Sequence, residues 1–283
     1  MFGFLNVYKP KGMTSHDVVS VLRKVTKVKQ IGHTGTLDPF AEGVLPVCIG
    51  KATRLIEYLD DEKAYIGTIQ LGSSTTTYDI EGDVVNTSEK EVSFEEVDEV
   101  LENFKGEIEQ IPPIYSALKI KGKKLYEYAR AGEEVEIKPR KVIINRLDIL
   151  SFDEINRRVE LFIGCSKGTY IRSIANDLGE ILGTYGHLIK LERVKSGAFT
   201  VRKSVKLDDL KTAEDVEKNL IKPVEYLNYP KRELTENEYK KVSNGVAIEI
   251  GLQNGFILLL KNGELVAVAE VVEGLAKVQK VFC

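Results

Sequence analysis

The chain has 283 residues, 43% of them hydrophobic and 29% charged, with a formal net charge of −3. That length and apolar content support a large buried core, enough for one large domain plus a small one, and exclude a disordered or fibrous chain; no apolar run reaches the roughly 20 residues that a bilayer-spanning helix needs. Cys48, Cys165 and Cys283 are odd in number and share no metal-ligand spacing, so free thiols are expected, the first two buried, with neither a disulfide nor a zinc site.

In chain order, the opening MFGFLNVYKPKGMTS has no basic leader followed by an apolar run, so no secretory or targeting signal is indicated and a cytoplasmic location is expected. Residues 1–55 carry eight basic side chains against three acidic ones, and residues 84–110 carry nine acids against two lysines. Phosphates are bound chiefly by Lys and Arg. The near-neutral total therefore fits a basic face over an acidic back, and equally two solvated faces. Lys9 and Pro10 fall in a loop. Thr14 to Asp17 then forms a capping box, with Val18, Leu22 and Val25 following at helical spacing. In Gly32-His33-Thr34-Gly35-Thr36-Leu37-Asp38-Pro39, Pro39 keeps Asp38 out of the helical region while Gly32 and Gly35 let backbone approach a ligand. Asp38 is the catalytic candidate, the alternative being an ordinary surface turn.

Tyr65, Gly67, Ile69 and Leu71 predict one face of a strand, and Val159, Leu161 and Ile163 another. Between them Ser93 and Glu96 cap a helix whose stripe is Phe94, Val97, Leu101 and Phe104. Residues 105–142 read as a basic insertion: KIKGKK contains Lys119, Lys121, Lys123 and Lys124, with Arg130, Arg140 and Lys141 beyond, a clamp for an RNA backbone or a solvated loop. Gly168-Thr169 opens a helix with Ile171, Ile174, Leu178 and Ile181 as its buried stripe, Gly183 as its stop and Arg172 off the stripe. The two prolines of residues 221–232 read as a linker. A small β-rich tail follows, with a helix capped by Thr235 and Glu238 and a hairpin turning at Asn262-Gly263.

Four segments in order, VYKPKGMTSHDVV from Val7, GHTGTLDPFAEGVLPVCIGKATRL from Gly32, IPPIYSALKIKGKKLYEYARAG from Ile111 and CSKGTYIRS from Cys165, resemble the motifs of the TruB family of tRNA pseudouridine synthases. The resemblance is strong over about residues 4–200 and only general beyond. It implies an α/β (α+β) fold, a mixed and mostly antiparallel central sheet with flanking helices in residues 1–228, and a PUA-like RNA-binding domain in 229–283, for which a stabilising tail is the alternative. It implies isomerisation of uridine 55 in the T-loop of tRNA, without metal or cofactor, by a monomer that needs no protein partner and no membrane. The related guide-RNA-dependent synthases are disfavoured by the short N-terminus and compact tail.

By the same resemblance Asp38 is the nucleophile, or stabilises a glycosyl cation; Arg172 pairs with it, and Tyr65 stacks on the base and moves a proton. His33 lies beside the extruded nucleotide, Tyr170 and Leu191 line its pocket, and Lys9 with the basic insertion contacts the RNA. Core packing for Tyr65, a local hydrogen bond for His33 and a solvated position for Arg172 are the plainer alternatives. A base-exchanging transglycosylase and a non-catalytic RNA binder are the rival functions. The tail is expected to add contact and no chemistry, because every chemical candidate precedes residue 195.

Overall fold

A computed structural model describes residues 1–283. Ten strands form one mixed sheet whose main path runs Val205–Lys206, Gly3–Lys9, Glu42–Ile49, Gly186–Ser196, Lys63–Leu71, Arg158–Cys165, Arg140–Asp153 and Gly106–Gln110. Only two of its pairings are parallel, Gly3–Lys9 with Val205–Lys206 and Glu42–Ile49 with Gly186–Ser196. The expected mixed, mostly antiparallel sheet is present.

Alternation sets the central strands. Val159, Leu161 and Ile163 are fully buried and face the same core as Tyr65, Ile69 and Leu71, in a cluster of 23 buried residues completed by helices Phe94–Glu102 and Ile171–Leu182. Each fully buried leucine or isoleucine there contributes about 1.5–3 kcal/mol, so this half of the sheet is a rigid platform. Helix Ser15–Thr26 covers the other half and carries the expected capping box, with Thr14 and Asp17 satisfying each other's backbone N–H groups.

Two helical stripes differ in detail from the sequence reading. Phe94 is 45% exposed, and Phe104 is buried but lies beyond the end of its helix. In Ile171–Leu182 the buried stripe is Ile171, Ile174, Leu178 and Leu182, and Ile181 is 57% exposed, because the helical repeat brings 182 rather than 181 back under 178. Gly183 stops that helix at φ 70°. The helix lies directly on strand Gly186–Ser196: a Cβ on Gly179 would stand 2.1 Å from the Gly186 nitrogen. Gly43 serves the same purpose between strands, since at φ 107° its Cβ would meet the Arg193 carbonyl oxygen at 2.4 Å.

The tail forms a second sheet, ordered Lys231–Glu233, Gly255–Lys261, Glu264–Val272, Leu275–Val281 and Ile248–Glu249. Its hairpin turns at Asn262 and Gly263, both at positive φ as a type I′ turn requires. Residues 221–232 are no free linker. Phe4 and Ile221 exchange two backbone hydrogen bonds, Pro223–Tyr226 is a short helix, and Lys231–Glu233 is already a strand. One cluster of 13 buried residues joins both sheets, with Phe4, Val44, Leu55 and Phe199 packed against Leu227, Leu258, Leu260 and Phe282. Cys48 and Cys165 are buried free thiols and Cys283 is exposed. No helix is long and apolar enough to cross a membrane.

Candidate active site

A cavity of about 790 Å³ opens over the central strands, and Asp38, Tyr65, Tyr170, Arg172 and Leu191 line it together. The loop carrying Asp38 is pinned from several sides. Ser15 Oγ accepts from the Leu37 N–H at 2.8 Å, the Gly12 N–H donates to the Pro39 carbonyl at 2.8 Å, and the Asp38 carbonyl accepts from the Ala41 N–H at 3.1 Å. A one-residue acid on so constrained a turn has little freedom to miss its target.

Arg172 meets Asp38 with two nitrogens, Nε to Oδ2 at 2.9 Å and Nη2 to Oδ1 at 3.2 Å. Its remaining capacity goes to Asp79 Oδ2 at 3.3 Å, the Thr77 carbonyl at 3.1 Å and the Tyr115 carbonyl at 3.0 Å. The guanidinium is 5% exposed, so the solvated-helix alternative does not hold. The Asp38 side chain is 32% exposed and forms part of the cavity lining. Enclosure pushes its pKa above the usual carboxylate value and Asp79 adds to that rise, while Arg172 opposes both. The result is a carboxylate held in one orientation by a planar fork, with its open side facing a ligand-sized space.

Tyr65 is 8% exposed and projects from strand Lys63–Leu71 opposite Arg193 on the neighbouring strand. Burial raises its hydroxyl pKa, with the Arg193 guanidinium opposing. Tyr170 is held at the mouth of helix Ile171–Leu182 by Gln110, which donates to its carbonyl at 3.0 Å and accepts from its N–H at 2.7 Å. Leu191 supplies an apolar patch.

Lys9 requires a correction. It was expected to contact substrate, yet it is fully buried and its ammonium donates to the carbonyls of Pro10, Met13 and Pro39 at 2.9, 2.6 and 3.4 Å. Burial lowers its pKa to about 8. Lys9 therefore ties the 10–13 loop to the turn after Asp38 and is closed to phosphate. His33 ends strand Ile31–His33 and lies outside the cavity lining, although its neighbour Thr34 belongs to it. Its Nδ1 has no hydrogen-bond partner, and burial and Arg193 lower its pKa.

The basic insertion divides. Arg130 reaches the cavity and stacks on Tyr126, 5.4 Å from the ring centroid. Lys119, Lys121 and Arg140 line a separate cleft of about 580 Å³. Lys123 pairs with Glu133 at 2.7 Å and Lys141 with Glu107 at 2.8 Å, while Lys124 lies 5.3 Å from the Tyr126 ring centroid. Sequence reasoning missed Asp79, Lys63 and Arg193. Parity was the available signal: Lys63 lies two residues from Tyr65, and Arg193 two from Leu191, on the same strand faces.

Residues 23–171 match the TruB family pseudouridylate synthase N-terminal domain, and residues 172–227 the tRNA pseudouridylate synthase B C-terminal domain. The chain belongs to the TruB family. It is 44% identical over 277 residues to a tRNA pseudouridine synthase B of Caldanaerobacter subterraneus subsp. tengcongensis, covering 96% of this chain and 95% of the relative. To one of Staphylococcus aureus it is 47% identical over 255 residues, covering 86% and 84%. Among solved structures, a chain of an H/ACA RNP bound to a substrate RNA containing 2′-deoxyuridine superposes with a TM-score of 0.74 at 25% identity, over 100% of this chain and 85% of that one. In this TruB chain the two matched regions meet between Ile171 and Arg172. Asp38 thus comes from one and its guanidinium partner from the other.

Proposed function

We propose that the chain isomerises uridine 55 in the T-loop of tRNA to pseudouridine, with Asp38 as the nucleophile. Pseudouridine synthesis on tRNA is the activity its close relatives are named for. The observation that carries the finer reading is the two-point contact of Arg172 with Asp38 at the wall of a cavity of about 790 Å³ that Tyr65, Tyr170 and Leu191 also line. In the reaction the N1–C1′ bond breaks, the base turns, C5 bonds to C1′, and the proton on C5 leaves as N1 gains one. Asp38, kept ionised by Arg172, attacks C1′ or C6 or shields a glycosyl cation; Tyr65 stacks on the base and takes part in moving the C5 proton. A loop uridine reaches an enclosed carboxylate only by leaving its stack, at a cost of a few kcal/mol that ring stacking and phosphate contacts offset. We assign the phosphate contacts to the basic insertion, with Arg130 nearest the cavity, and a PUA-like contact with tRNA to residues 229–283. The working species is a cytoplasmic monomer acting on tRNA without a protein partner.

The test incubates tRNA tritiated at uridine C5 with the protein and measures released tritium and the C-linked nucleoside. Tritium release matched by an equal amount of C-linked nucleoside in the RNA supports the reading. Free uracil points to a transglycosylase, and tRNA binding that is unchanged with no tritium release points to a non-catalytic binder.

A further inference from the structure

Of the cations lining the cavity, Arg172 and Lys167 have carboxylate partners, and Arg130, on the insertion, lies over the Tyr126 ring; the strand residues Lys63 and Arg193 have no carboxylate within salt-bridge distance. Both are deeply placed, Lys63 9% and Arg193 1% exposed. Arg193 is committed to the backbone, donating to the carbonyls of Val44, Thr36 and Gly35 at 2.7, 3.3 and 3.1 Å. Lys63 makes a single hydrogen bond, to Ser196 Oγ at 2.8 Å, and so has donors left over. Two buried cations on adjacent strands with no carboxylate in contact are expensive to hold. Burial and Arg193 lower the Lys63 pKa to about 8, against the pull of Asp61, Asp60 and Cys165.

Lys63 shares its strand face with Tyr65, two residues along, and both cations border Gly35, where a Cβ would come 3.7 Å from Arg193 Nη1 and 3.9 Å from Lys63 Cε. The bare loop face at Gly35 leaves room beside the ammonium, three residues from Asp38. An anion with several acceptor oxygens would use the free donors and relieve the cation pair. A nucleotide entering base-first brings one such group with it, its own backbone phosphate.

We propose that Lys63, backed by Arg193, binds a backbone phosphate flanking the nucleotide extruded into the cavity, and so fixes how deep the ribose sits relative to Asp38. This rests on the reaction proposed above. The test uses T-stem-loop RNAs carrying an uncharged methylphosphonate on the 5′ or the 3′ side of the target uridine, titrated against full-length wild-type protein and Lys63→Met. One of the two modified RNAs should bind wild type roughly tenfold more weakly than unmodified RNA. Lys63→Met should lose a similar factor with unmodified RNA and nothing further with that methylphosphonate. Its log affinity should also fall with log salt by about 0.7 less per decade. Additive losses, or a wild type indifferent to both modifications, overturn the assignment. Normal binding by Lys63→Met with a lost single-turnover rate also overturns it, in favour of proton transfer. Because the substitution removes a buried charge that has no carboxylate in contact, Lys63→Met should melt at or above the wild-type temperature at pH 7; should it fail to fold, Lys63→Gln runs the same cycle. Pseudouridine formation by wild type on unmodified RNA in the same series separates failure of this subsite from failure of the reaction.

Discussion

The contact between Asp38 and Arg172 dictates what single substitutions do. Asp38→Asn keeps the shape and removes the proposed nucleophile, so the single-turnover rate should drop more than about a hundredfold while tRNA affinity stays within about tenfold. Residual activity above that level would remove Asp38 from the nucleophile's role. The proposed role needs the carboxylate ionised, and enclosure raises its pKa. Protonation, and with it loss of rate, therefore sets in as pH falls at a higher value than for an ordinary aspartate. A pH series of single-turnover rates with saturating tRNA checks this, and an acid limb at or below the usual aspartate pKa of about 3.9 would contradict it. Arg172 contacts two carboxylates and two carbonyls. A lysine offers three donors from one point, so Arg172→Lys keeps the charge and loses the fork; the rate should fall roughly 10- to 100-fold, with a lower melting temperature. A fully active, equally stable lysine variant would show that charge alone matters.

Elements place these residues, and their legibility followed local physics. The strands around Tyr65 and Leu161 announce themselves because alternation along a strand is a property of neighbouring residues, and the helix at Ile171 because its stripe is. Lys9 was misread for the opposite reason: the carbonyls it bonds include Pro39, thirty residues away, and a lysine in a Lys-Pro loop carries no local mark of burial. Asp79 sits in a threonine-rich loop with no periodicity, and only folding brings it against Arg172. The helix carrying Arg172 depends on Gly179. Alanine in a helix is ordinarily favoured over glycine by up to about 1 kcal/mol, but here the new methyl would meet backbone at 2.1 Å. Gly179→Ala should therefore destabilise by about 1–3 kcal/mol and also reduce the catalytic rate as Arg172 shifts. A denaturant midpoint equal to wild type would mean the helix has slack that the packing denies.

At the scale of the whole molecule the tail is more than an added contact surface. Leu258, Leu260, Leu265, Val268 and Phe282 complete a core begun by Phe4, Val44 and Leu55. Removing residues 230–283 would uncover that core, and five large side chains at about 1.5–3 kcal/mol each approach the whole stability of an ordinary domain. The truncated protein should lose cooperative unfolding, seen as a broadened or absent thermal transition, and should lose activity with it. A truncation that folds and turns over normally would make residues 229–283 a separate unit, as the sequence alone led us to expect. The shared core also has a meaning in time. During translation Phe4 emerges early and Phe282 late, an interval on the order of tens of seconds at typical elongation rates. Through that interval the nascent chain carries an apolar wall with nothing to cover it, so this enzyme should depend on holding chaperones while it is being made, more than a chain whose domains close one after another.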